Sequence, residues 1–145
     1  MPTYTDLHPR LIVDDPDAAL AFYARCLEAT ILERFTDDAD RVVHAAFSLG
    51  DDVVSMAQAV PEWGLASPGT LGGSPCLMHL TVDDPDGVAA RMAEGGAEIL
   101  IPIDDRPYGK REGRVLDPHG HLWILSTPIE DLSDDEIRTR LKGAP

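Results

Sequence analysis

The chain has 145 residues, 43% of them hydrophobic, and a formal net charge of −14. That length suits one compact domain with a real core. So acidic a chain is repelled by nucleic acid and by anionic membrane surfaces, no apolar run approaches the ~20 residues that span a bilayer, and neither partner is expected. The start, Met1-Pro2-Thr3-Tyr4-Thr5-Asp6, has neither the basic residues nor the apolar stretch of a signal peptide, so the expected compartment is the cytoplasm. Cys26 and Cys76 are far apart and form no CxxC pair, which offers neither a disulfide framework nor a zinc pattern.

In chain order, Leu7–Val13 reads as a strand. Asp15 then caps a helix that opens on Pro16 and runs to about Leu27, with Ala19, Leu20, Phe22, Tyr23 and Leu27 along one apolar face. Strands follow at about Thr30–Phe35, Arg41–Leu49 and Val53–Ala57, the last two joined tightly at Gly50-Asp51-Asp52. Residues 59–74 are rich in Pro, Gly and Ser and read as a loop in which no helix begins. Its glycines, Gly69, Gly72 and Gly73, lack the Gly-Lys-Ser/Thr of a phosphate loop.

The second half repeats the order. Pro75–Val82 is a strand, Asp84 caps a helix to about Glu94, and Glu98–Ile103 is a strand. Arg111–Leu116 and Leu122–Ser126 form a hairpin around Asp117-Pro118-His119-Gly120, which has the residues of a type I turn. A last helix opens at Ser133 with Glu136 as capping-box partner.

The phrase Val-Asp-Asp-Pro-Asp occurs at Val13–Asp17 and again at Val82–Asp86, 69 residues on, between a strand and a helix both times. The chain is thus read as an α+β protein of two tandem βαβββ modules. Module one covers 4–58, the linker 59–74, module two 75–128 and the terminal helix 133–142. Neither module is stable with open edges. Paired, they are expected to form one curved, mixed, eight-stranded sheet around a cavity, with the helices outside.

Several tempting constellations have simpler explanations. His119 and His121 fall in a turn that already accounts for Pro118 and Gly120, and Asp104-Asp105 beside Arg106-Pro107 reads as a solvated turn. No GxSxG is present, and Trp123, alternating with Ile124, should face the helix side. Strand alternation sets Leu77 with His79, and His8 with Arg10, on the cavity side, and His44 is a candidate for the same side.

His8, Leu11, Val13 and Asp15, the stretch Ala18–Tyr23, Gly50-Asp51, Val82-Asp83-Asp84 and Asp117-Pro118-His119-Gly120-His121 together resemble the vicinal oxygen chelate superfamily. That superfamily includes glyoxalases, extradiol dioxygenases and bleomycin-resistance proteins, and the resemblance spans about residues 7–127. It implies that the four metal-holding positions of metal-dependent members fall here on His8, Ser55, Leu77 and Ile124. Leu77 and Ile124 carry no donor atom and a Ser hydroxyl is a poor one, so no metal or other cofactor is expected.

Within the superfamily the chain is most similar to the bleomycin-resistance-like branch. There an aromatic before a glycine stacks on a flat drug, and Tyr108 before Gly109 holds that place. The resemblance also implies a homodimer. The expected function is non-catalytic binding and sequestration of a flat hydrophobic or cationic small molecule, with an antibiotic as the expected class. Its walls would be Trp63, Leu77, Tyr108 and Ile124, and its polar contacts His8, Arg10, His44, Ser55 and His79. The alternative is an enzyme. It would be a lyase, isomerase or dioxygenase with a displaced metal site, or a metal-free catalyst with His8 or His79 as base.

Overall fold

The structure, a computed structural model, describes residues 1–143. The described residues divide into two compact units, 1–74 and from 75 onward.

In the first unit, β1 (Arg10–Val13) leads into α1 (Pro16–Leu27), followed by β2 (Thr30–Thr36), β3 (Val42–Leu49) and β4 (Asp52–Gln58). The sheet order is β1-β4-β3-β2, with β1 parallel to β4 and the other pairs antiparallel. The helix starts where its sequence says it should: Asp15 accepts from the Ala18 N–H at 3.1 Å and Pro16 is the first helical residue. Its inner face packs on the sheet. Tyr23 stacks on Phe47 with centroids 5.0 Å apart, and Val13, Ala19, Cys26 and Met56 are buried around them. Burial of each large side chain contributes roughly 1.5–3 kcal/mol.

The second unit repeats this plan. It holds β5 (Leu77–Thr81), α3 (Pro85–Glu94), β6 (Glu98–Asp105), β7 (Lys110–Leu116) and β8 (Leu122–Pro128), in the sheet order β5-β8-β7-β6, again with one parallel pair. Asp84 caps α3 as Asp15 caps α1, accepting from the Gly87 N–H at 3.0 Å. Trp123, Met92, Val115 and Leu125 form the core between helix and sheet. Buried Asp117 organises the β7–β8 turn. It accepts from the His119 and His121 N–H groups at 2.8 and 3.1 Å and from the Trp123 indole N–H at 2.9 Å. His119 and His121 are therefore turn residues, and Trp123 lies on the helix side.

Four expectations are corrected. The ladders close within each module, giving two four-stranded sheets in place of a single eight-stranded one. The first strand begins at Arg10, so His8 precedes it; Pro9 has no N–H to give to a ladder. Residues 59–74 are not all loop. Pro61–Trp63 is a 3₁₀ turn, and α2 (Pro68–Leu71) is a single helical turn whose N-cap, Ser67, accepts from Thr70 N–H at 3.4 Å. Asp104 and Asp105 belong to β6, and the turn follows them: Arg106 N–H donates to the Lys110 carbonyl at 2.7 Å and Gly109 sits at φ 84°.

α4 (Asp134–Lys142) is capped by Ser133, which accepts from Glu136 N–H at 3.2 Å. The Glu136 side chain meets the Ser133 hydroxyl at 3.1 Å, and the return bond to the Ser133 N–H that a full capping box would make is not formed. No helix among the described residues is long and apolar enough to cross a membrane.

Candidate functional site

Each sheet has one face against its helix and one without, and strand alternation delivers polar side chains to the helix-free face. In the first unit, Ala45 and Phe47 point to the helix, so His44 points away. Arg10 and Ala46 lie beside Ser55 in the ladders, which puts Arg10, Ser55 and His44 on one face. Arg10 donates to His44 Nδ1 at 2.9 Å, to the Val43 carbonyl at 2.7 Å and to Ser55 Oγ at 3.4 Å. His44 Nε2 meets Glu33 at 3.1 Å, and Phe35 stacks on the imidazole with centroids 5.9 Å apart.

This arrangement fixes the imidazole chemistry. A guanidinium has no lone pair, so Nδ1 accepts and the proton sits on Nε2, toward Glu33. With both nitrogens engaged, His44 links a cation to a carboxylate and has no free base nitrogen.

The other expected residues of this unit are dispersed. His8 donates to Asp6 at 2.5 Å, ahead of the strand. Trp63 is 64% exposed at the 3₁₀ turn, with the Arg41 guanidinium 5.2 Å from its ring centroid. Such an exposed cation–π pair contributes about 0.5–1 kcal/mol.

In the second unit, Leu77 and His79 are exposed on β5, and Ile124, half-buried on β8, pairs with His79 in the ladder. Tyr108 stands at a recess of about 170 Å³ lined by Ile101, Arg106, Glu112, Gly113 and Arg114 as well. Its hydroxyl donates to Glu112 Oε1, and Ser126 Oγ donates to Glu112 Oε2 at 2.7 Å. Burial first, then Glu112, pushes the Tyr108 phenol up to about 12. Arg106 donates Nε to the Glu112 carbonyl at 3.0 Å and a further N–H to the Pro102 carbonyl.

The structure thus joins Arg10, His44 and Ser55 in one cluster and places Tyr108 in a recess. Sequence reasoning missed Glu33 and Phe35 in the first unit, and Arg106, Glu112, Arg114 and Ser126 in the second. A signal was present on β7. Glu112 and Arg114 alternate with Gly113 and Val115, both buried, and that pattern assigns the two charged residues to the helix-free face.

The profile described as Glyoxalase/Bleomycin resistance protein/Dioxygenase superfamily matches residues 7–125. The chain belongs to this superfamily. An uncharacterized protein of Mycobacterium bovis, Mb0911c, is 34% identical over 140 residues, covering 94% of this chain and 92% of its own. The crystal structure of TioX from Micromonospora sp. ML1 is similar with a TM-score of 0.66 at 26% identity, covering 86% of this chain and 99% of that one. FosX from Listeria monocytogenes, a fosfomycin resistance protein crystallised with Mn(II) and sulfate, shares the fold with a TM-score of 0.68 at 17% identity, covering 97% and 99%.

The donor set of this superfamily member does not suit a transition metal. Of the four positions that resemblance assigns to metal ligands, Leu77 and Ile124 have no lone pair. Ser55 is buried and its hydroxyl already lies against Arg10 and, at 3.4 Å, the Pro9 carbonyl. His8 is the one remaining imidazole, and a held ion needs three or more such donors.

Proposed function

We propose that this superfamily member binds a small molecule and holds it without transforming it, as a sequestering protein would; an antibiotic is the ligand class to test first. The observation that carries the reading is the pair of aliphatic side chains, Leu77 and Ile124, at two positions that the family resemblance assigns to metal donors. The helix-free sheet faces support it. That of the first unit offers Arg10, His44 and Ser55 beside exposed Phe35, and that of the second offers exposed Leu77 and Ile101, with Tyr108 at the β6–β7 turn. Such a mix suits recognition of an apolar body with a few polar atoms. The guanidiniums at the Tyr108 recess favour an apolar ligand over a cationic one.

Thermal unfolding with and without chelator, against a panel of planar antibiotics and of Ni, Zn, Fe and Mn salts, tests this. A true ligand at a hundred times its Kd raises Tm by roughly 5–10 °C with chelator present. A stoichiometric metal in the purified protein, whose removal lowers Tm, would overturn the reading in favour of an enzyme.

A further inference from the structure

The Tyr108 recess contains charge that the rest of the fold does not explain. Five arginines elsewhere, Arg34, Arg41, Arg111, Arg138 and Arg140, each pair with a carboxylate. The two at the recess, like Arg10 on the first sheet, do not. Arg106 gives its hydrogen bonds to backbone carbonyls, and the Arg114 guanidinium makes no hydrogen bond or ion pair among the described residues.

The one carboxylate in the lining, Glu112, is covered by hydroxyl protons: Tyr108 takes one oxygen and Ser126 the other. Two guanidiniums therefore stand against a single, already satisfied carboxylate. In a chain of net charge −14 this is a local reversal of sign. The recess, about 170 Å³, is smaller than a drug-sized site and matches a head group on a short apolar stem, with Ile101 supplying the apolar wall.

We propose that the recess takes the oxyanion end of the ligand, a carboxylate or phosphate group on a small apolar body, with Arg114 as its main counterion and Arg106 beside it. This rests on the small-molecule-binding reading above. A guanidinium donates two parallel N–H groups to either oxyanion, so both chemistries fit the same fork. Tyr108 and Ser126 act on this site through Glu112: their hydroxyls engage both of its oxygens, and of the three charged side chains Arg114 is the exposed one while Arg106 and Glu112 are half-buried.

Benzoate, phenyl phosphate and benzamide titrated into the full chain, followed by backbone amide NMR, test the proposal. At least one anion is expected to shift the Gly113 and Arg114 amides and to bind about tenfold or more tightly than neutral benzamide. The tighter of the two identifies a planar or a tetrahedral head group. Arg114→Gln, at an exposed position, should abolish that preference, whereas Arg25→Gln on α1 should leave it. Equal binding of benzamide and the anions, or a preference that survives Arg114→Gln, would overturn the proposal while leaving small-molecule binding in place. No shift with any of the three would also overturn it, and the antibiotic panel judges the broader reading separately.

Discussion

Glu112 and His44 hold matching places in the two modules. Each lies two residues before the β3 or β7 position that faces Ser55 or Ile124 across the ladder. One module uses the place for an imidazole between Arg10 and Glu33, the other for a carboxylate between Tyr108 and Ser126. The Tyr108 contact has a pH signature. Its phenol is raised to about 12 in the fold, so the fold favours the neutral phenol. That stabilisation is complete below the ordinary phenol value of about 10 and is lost as pH climbs toward the raised value. Alkaline titration by phenolate absorbance should therefore lose one late-ionising tyrosine in Tyr108→Phe. An unchanged late amplitude would show that Glu112 and burial do not hold that proton. Tyr108 was legible from sequence as a candidate. Its partner was not, because nothing local says which side chain a phenol will meet.

The elements were legible wherever their causes are local. Asp15-Pro16 and Asp84-Pro85 open helices because an Asx cap and a proline satisfy helix starts in any context. Ser67-Pro68 carries the same signal and does start a turn of helix, one that the surrounding glycines hid. The extent of β6 was not legible, since it is set by pairing with β7 through an irregular register between Ile101 and Asp104. Gly113 stands opposite that irregularity. A Cβ there would lie 2.4 Å from the Ile101 carbonyl oxygen and 2.8 Å from the Pro102 carbonyl carbon, both backbone atoms that cannot swing aside. Gly113→Ala should cost about 1–3 kcal/mol in denaturant unfolding and should distort the Tyr108 recess. A variant as stable as the parent would mean that β6 shifts freely at the bulge.

Across the molecule the repeat extends to its ion pairs. Asp17, at the start of α1, holds Arg34 at 2.7 Å, and Asp86, at the same place in α3, holds Arg111 at 2.8 Å. The arginine comes from β2 in one unit and from β7 in the other, so the tie between helix start and sheet recurs without its sequence position recurring. Hydrogen bonds from these arginines hold both carboxyls below the ordinary aspartate value. The fold thus binds those protons less readily than the unfolded chain does. The stability they add is present above about pH 4 and is lost as pH falls through the lowered values. The pairs are exposed, so each effect is small and screened by salt. The Arg34→Gln/Arg111→Gln double variant should show a shallower acid limb of Tm against pH at low ionic strength and converge on the parent at the acid end. Parallel curves would assign acid sensitivity to other carboxylates.

The sequence by itself determined the two-module plan, the capped helices, the turn that opens at Asp117 and the side of the sheet on which Trp123 packs. Each follows from period, cap or turn chemistry that acts over a few residues. Only the tertiary structure decided that each module closes its own four-stranded sheet and that Glu33 completes the Arg10–His44 cluster. It alone likewise put Arg106 and Arg114 on one recess with Tyr108. Those outcomes depend on ladder register and on which distant side chain reaches across it. Neither is written into the hydrophobic alternation that reveals the strands.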